Sequence, residues 1–182
     1  MEKNKLLIVV DMQNDFVTGS LANPAAEKII PNIVEKLKAK DYTYLIFTRD
    51  THQKNYLETQ EGKNLPVEHC IEGTNGWEIV PELQEFTKNA FIVDKPTFGY
   101  KDWKAKLNEL FDDENNQPGD FPEEIELIGV CTGICVASNA TILKSLYPEM
   151  PISVDSNCCA CLNEDTHNAA LTVMKTQQIF VK

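Results

Sequence analysis

A chain of 182 residues suits one domain spanning 1–182, able to bury roughly 70% of its unfolded surface and to fold without disulfide or metal staples. Its net charge of −11 argues against nucleic acid and anionic membrane as partners, since both call for a basic footprint, and favours a small neutral or cationic ligand. No run approaches the roughly 18 apolar residues of a membrane span and no N-terminal stretch resembles an export signal, so a cytoplasmic protein with reduced cysteines is expected.

Short apolar runs alternate with longer amphipathic stretches. This pattern predicts an α/β fold, a single-domain three-layer αβα sandwich with a mainly parallel six-stranded sheet of Rossmann-like type. The first strand is expected at Leu6–Val10, with Asp11 directly after it. A helix follows at Ala25–Lys40, where Ile29, Ile30, Ile33, Val34 and Leu37 share one face; Pro31 inside it implies a kink or a start near Asn32. Tyr42–Thr48 reads as the second strand, with Asp50 beyond its end. From Thr51 to Pro81 neither period holds, and so long a loop in a compact domain is usually functional. The third strand, Phe91–Asp94, leads to Lys95 and then to a helix at Lys101–Phe111. Trp103 on that helix is assigned to a subunit contact in preference to the core, while Trp77 stays open between the two. Asp112–Pro122, rich in Asp, Asn, Pro and Gly, reads as a solvated loop. The fourth strand, Glu126–Val130, breaks into a helix at Thr132–Ser145 that carries Cys135 in its first turn. Strands at Ile152–Val154 and Gln178–Val181 flank a helix at Glu164–Lys175, where His167 reads as packing or surface. Cys158, Cys159 and Cys161 are poorly spaced for one zinc ion; buried packing near a strand end is the main reading and thiol oxidation the lesser one.

In a parallel sheet, ligands bind beyond the carboxyl ends of the strands. Asp11, Asp50, Lys95 and Cys135 all fall there, so four reactive side chains converge on one edge. A thiol in a first helical turn faces unpaired backbone N–H groups and the positive end of the helix dipole, which lower its pKa and can hold an oxyanion. The turn after the first strand reads Asp11-Met12-Gln13-Asn14-Asp15-Phe16 and lacks a glycine-rich phosphate loop, so no nucleotide cofactor is expected. Asp50 and His52 stand two residues apart and His69 follows in the same long loop, a mixture of oxygen and nitrogen ligands suited to zinc, manganese or iron(II).

Asp-x-Gln-x-Asp-Phe after the first strand, Lys95 after the third, and Gly-Val-x-Thr-x-x-Cys after the fourth together resemble the isochorismatase-like cysteine hydrolase superfamily. The likeness runs in order from Leu6 to Cys135 and more loosely to the C-terminus. It implies a catalytic triad. Asp11 would be the general base that takes the thiol proton and later gives it to a leaving amine, and Lys95 would stabilise thiolate and carboxylate alike. Cys135 would attack an amide carbonyl, form a thioester and release ammonia. The backbone N–H groups of Cys131 and Cys135 would form the oxyanion hole, with a cis peptide before Cys131.

Within the superfamily the chain resembles nicotinamidases, which carry Asp-x-His and a downstream His as a metal site whose ion binds the pyridine nitrogen of the substrate. That likeness implies ligands Asp50, His52 and His69. The usual fourth ligand, often a third His, is replaced here by Glu58 or Glu61, with Glu61 the better placed. The implied ion is zinc, with manganese or iron as alternatives. The tryptophan that often precedes the last His is absent, so the pocket walls are assigned to Phe16, Phe98 and Tyr100. The implied reaction converts nicotinamide to nicotinate and ammonia in a homo-oligomer, dimer or tetramer. The alternatives are hydrolysis of another small amide or N-carbamoyl compound, and a non-enzymatic ligand-binding or thiol-sensing protein.

Overall fold

Strands rich in Leu, Ile and Val pair side by side, all parallel, in the order β3-β2-β1-β4-β5-β6. They are β1 (Lys5–Val10), β2 (Tyr44–Asp50), β3 (Phe91–Lys95), β4 (Glu124–Val130), β5 (Ile152–Ala160) and β6 (Phe180–Val181). The computed structural model describes residues 4–111 and 121–182, so most of the predicted Asp112–Pro122 loop lies outside the described residues. Central β1 is apolar along its length because helices cover both of its faces, and Leu6, Ile8, Val9 and Val10 are fully buried. Helix α1 (Asn14–Val17) is a single turn, and α2 (Pro24–Ala39) lays Ile29, Ile33 and Leu37 on one face of the sheet. The short helices α3 (Gln60–Asn64) and α4 (Gln84–Thr87) punctuate the long connection between β2 and β3. On the opposite face pack Trp103 and Leu107 of α5 (Trp103–Phe111), Leu143 of α6 (Ala137–Leu146), and Leu171 and Met174 of α7 (Glu164–Thr176). No helix among the described residues is long and apolar enough to cross a membrane.

Several expected boundaries move, each for a physical reason. Helix α2 starts at Pro24, not near Asn32, because the Asn23 side chain caps it by accepting from the Ala25 N–H at 3.0 Å and proline suits the first helical position. It then runs on through exposed Pro31. Strand β2 extends to Asp50 and β3 to Lys95, since parallel pairing continues until those residues stand side by side in register. Strand β5 runs well past Val154: its register against β4 shifts between Leu127 and Gly129, after which Gly129 pairs with Cys159. Gly129 itself has φ 116°, and a Cβ there would lie 2.2 Å from the Val10 carbonyl oxygen, so only glycine lets β4 close on β1 just before the turn that carries Cys135. Trp103 is not on a subunit face. It is fully buried, and its indole N–H donates to Asn139 Oδ1 at 2.7 Å.

Candidate active site and metal centre

Asp11 leaves β1 in a left-handed conformation, φ 50°, which aspartate tolerates better than most residues, and its backbone N–H donates to the carbonyl of Thr48 on β2 at 3.2 Å. The Thr48 hydroxyl donates to Asp11 Oδ1 at 2.6 Å, and Lys95 Nζ lies 2.6 Å from Asp11 Oδ2. Lys95 also donates to the Thr97 carbonyl at 3.1 Å and stands 3.5 Å from Asp50 Oδ1. Both partners of the ion pair are fully buried, and Cys135 is 6% exposed with its thiol against the Asp11 carboxyl. Burial lifts the Asp11 carboxyl above the usual range; Lys95 opposes this and the charge of Asp50 adds to it. Burial would lower the Lys95 ammonium, but the charges of Asp11, Cys135 and Asp50 outweigh it and keep the lysine protonated. Burial and the Asp11 charge also raise the Cys135 thiol well above its ordinary value, although Lys95 pulls the other way. Cys135 is therefore biased toward its thiol form, with the Asp11 carboxyl beside it.

The turn that presents Cys135 differs from the expected α-helical start. Thr132–Val136 forms one widened π-type turn before α6 begins at Ala137, with the N–H of Val136 donating to the Cys131 carbonyl at 3.2 Å. The Val130–Cys131 peptide is cis. Asn139, fully buried on α6, holds the turn from behind. Its Nδ2 donates to the carbonyls of Cys135 at 2.8 Å and Phe98 at 3.2 Å, and its Oδ1 accepts from the Tyr100 backbone at 2.9 Å and from the Trp103 indole.

Asp50, His52, Glu61 and His69 form the second cluster, with one ligand atom from each lying within 4.8 Å of all the others. His52 Nε2 is 2.9 Å from Asp50 Oδ2 and 3.6 Å from Glu61 Oε1, and His69 Nε2 is 3.5 Å and 3.8 Å from the same two oxygens. Such spacings fit donors arranged at roughly 2.0–2.2 Å around one ion. The chemistry of the buried atoms agrees: among the described residues Asp50 Oδ1 faces only the Lys95 ammonium, 3.5 Å away, and His52 Nε2 faces carboxylates of the same cluster. His69 turns Nδ1 to the Val67 carbonyl at 2.8 Å, which leaves Nε2 as the free ligand atom. Burial would raise the Asp50 carboxyl, but the two imidazoles and the Lys95 ammonium outweigh it and keep that carboxylate ionised. Glu61, not exposed Glu58, is the glutamate in the group.

Both clusters meet one cleft of about 540 Å³ that touches Asp50, Glu61, His69 and Cys135. Phe16, Leu21, Leu65, Phe98 and Ile134 supply its apolar walls, and the Phe16 ring centroid is 5.6 Å from that of His69. Tyr100 does not line the cleft, contrary to its assignment as a wall. Its backbone is pinned by Asn139 and its ring stacks edge-on against Trp103, centroids 5.3 Å apart, so it belongs to the core beneath. His167 contributes to packing through a 2.8 Å contact between Nδ1 and the Thr132 hydroxyl. Sequence reasoning missed the residues that hold the site rather than react in it. Gln13, fully buried, accepts from the Asp50 N–H at 2.7 Å and donates to the Asp50 carbonyl at 2.9 Å and the Trp77 carbonyl at 2.8 Å. Asp15 accepts from the N–H of Cys70, next to His69, at 2.8 Å. Both sit inside the Asp-x-Gln-x-Asp-Phe motif, so their presence was visible and their task was not.

Fold and site together define a three-layer αβα scaffold with a buried cysteine, lysine and aspartate beside a cluster of candidate metal ligands. The isochorismatase domain family matches residues 5–182, and the chain belongs to that family. It is 28% identical over 187 residues to a nicotinamidase from Saccharomyces cerevisiae, covering 83% of this chain and 86% of that one. A pyrazinamidase/nicotinamidase structure from Streptococcus mutans superposes with a TM-score of 0.83 at 25% identity, covering 98% of this chain and all of the other. A pyrazinamidase from Pyrococcus horikoshii in complex with zinc gives a TM-score of 0.75 at 27% identity over 98% of both chains.

Proposed function

We propose that the protein is a metal-containing nicotinamidase that hydrolyses nicotinamide to nicotinate and ammonia through a Cys135 thioester. One observation carries the reading: the Asp50, His52, Glu61 and His69 cluster opens into the same cleft as Cys135, beside the Asp11–Lys95 pair. The nicotinamidase and pyrazinamidase relatives support the substrate, and the zinc complex of one of them supports the ion. Asp50, His52, Glu61 and His69 would hold a divalent cation, zinc first and manganese or iron as alternatives, which would supply a Lewis-acid anchor for the ring nitrogen.

Asp11 takes the proton from the Cys135 thiol as the sulfur attacks the carboxamide carbon. The tetrahedral oxygen is received by the backbone N–H groups of Cys131 and Cys135. When the C–N bond breaks, Asp11 delivers its proton to the leaving nitrogen and ammonia departs. Water then attacks the thioester, giving one proton to Asp11, and collapse releases nicotinate while the proton returns to sulfur. Lys95 stays cationic throughout and offsets the negative charge as it passes between Asp11 and Cys135. Phe16 and Phe98 flank the ring.

The test is ammonia release from nicotinamide, pyrazinamide and an N-carbamoyl amide, each with and without added divalent ion. Fast turnover of the two pyridine and pyrazine amides supports the reading. Turnover of the N-carbamoyl compound alone would move the protein to another branch of the superfamily.

A further inference from the structure

Cys131 follows β4 and Cys161 follows β5, and these strands are neighbours. Gly129 pairs with Cys159 and Val130 with Ala160, so the next position along the register sets Cys131 opposite Cys161. Adjacent strands lie about 4.8 Å apart, inside the span a disulfide bridges. The two side chains meet thiol to thiol, and both cysteines are free. Cys131 is half-buried and lines the cleft, whereas Cys161 is 3% exposed and packs behind it. The Cys161 sulfur lies 3.6 Å from where a Cβ on Gly133 would stand, which puts it against the turn that carries Cys135.

We propose that Cys131 and Cys161 form a peroxide-sensitive dithiol that closes to a disulfide and thereby shuts the active site. Two thiols and one molecule of hydrogen peroxide give one S–S bond and two molecules of water. The sulfurs lose two electrons, the O–O bond accepts them and breaks, and the two thiol protons leave with the oxygens. The thiols differ in readiness. Burial alone would raise the Cys161 thiol, but the contacts with Cys131, Thr166 and the backbones of Gly133 and Leu162 outweigh it and hold it below the ordinary value. Burial and the Cys161 contact push the Cys131 thiol up to about 12, and Cys135 is held well above its ordinary value. Cys161 is therefore the readier thiolate and Cys131, facing it, is its resolving partner. A bond at Cys131 draws on the peptide assigned above to the oxyanion hole, so activity falls without any change at Cys135. That last step rests on the proposed function; formation of the bond does not.

Wild-type protein would be exposed to hydrogen peroxide, digested without reductant and examined by mass spectrometry, with activity followed in parallel. The expected result is a linked pair of peptides joined at Cys131 and Cys161, two hydrogens lighter than the free thiols and reversed by dithiothreitol. Turnover should fall by about a hundredfold with the link, as when one oxyanion donor is lost, and should return on reduction. Cys161→Ser and Cys161→Ala should retain wild-type turnover before treatment and resist the same exposure. Inactivation of wild type with no such link, with a link from Cys131 to Cys135, or with both variants inactivated as fast as wild type would overturn the proposal. The mapping on wild type needs no variant and no turnover, so its result stands apart from the fate of the nicotinamidase reading.

Discussion

Asp11 sits in contact with a cation, a thiol and a hydroxyl, and within the field of a second carboxylate, so its ionisation is set by its neighbours. In the proposed mechanism Asp11 is the base, which requires this carboxyl to be ionised. Its pKa is raised by burial, so activity should fall with decreasing pH at a point above the ordinary carboxylate range. A pH profile of kcat/KM with no acid limb above that range would contradict the role. Asp11→Asn keeps the shape but cannot shuttle the proton, and should lower kcat by about a thousandfold. Cys135→Ala should leave less than roughly a thousandth of the activity while substrate still binds, since only the covalent step is lost. His52→Ala asks a different question. Loss of one of two nitrogen ligands should empty the metal site by elemental analysis and raise KM more than it lowers kcat; an unchanged KM would show that the ion does not position the substrate.

At the scale of elements, α6 and β4 each carry a buried polar group whose removal separates packing from chemistry. Asn139 satisfies four partners between the nucleophile turn and the Phe98–Trp103 segment. Asn139→Ala leaves a buried indole N–H and the Cys135 carbonyl unpaired, which should cost about 2–4 kcal/mol by denaturant unfolding and lower kcat as the turn loosens. Nothing in the sequence marked Asn139 beyond a helix-disfavoured residue in mid-helix, because its partners come from a loop about 40 residues away. At the other end of the sheet, Glu126 of β4 is buried against the ammonium groups of Lys5, Lys36 and Lys182. Burial would raise its carboxyl, but the lysines outweigh it and hold it down at about 2, against an ordinary 4.5. A depressed folded pKa stabilises the protein above pH 4.5 and loses that contribution as pH falls toward 2. Glu126→Gln should therefore destabilise the protein at pH 7 by on the order of 2 kcal/mol and flatten its acid unfolding through that window. Equal pH dependence in both proteins would place the acid sensitivity elsewhere.

Across the whole molecule, what was legible followed from periodicity and from position at strand ends. The run Leu6–Val10 announced a strand buried on both faces, and Asp11, Lys95 and Cys135 could be placed on one edge because parallel strands end there. What escaped was set by register and by long-range partners: the reach of β5 past its bulge, the π-type opening of the nucleophile turn, and the inward placing of Trp103 and Tyr100. The same distinction governs the proposed metal site, whose four candidate ligands come from the end of β2 and the loop beyond it and are pinned by Gln13 and Asp15 from the motif after β1. A site assembled from segments this far apart exists only in the folded chain, so an ion that binds it must stabilise the fold. At a hundredfold excess over its dissociation constant, the gain is about 2.7 kcal/mol, which for a chain of this size raises the unfolding midpoint by roughly 5–10 °C. Calorimetry of chelator-stripped protein titrated with zinc, manganese or iron(II) should show that rise for at least one ion, and Glu61→Gln or His52→Ala should remove most of it. If no ion moves the midpoint of the wild type, the cluster is a polar knot that orders the loop through the contacts among Asp50, His52, Glu61 and His69 alone.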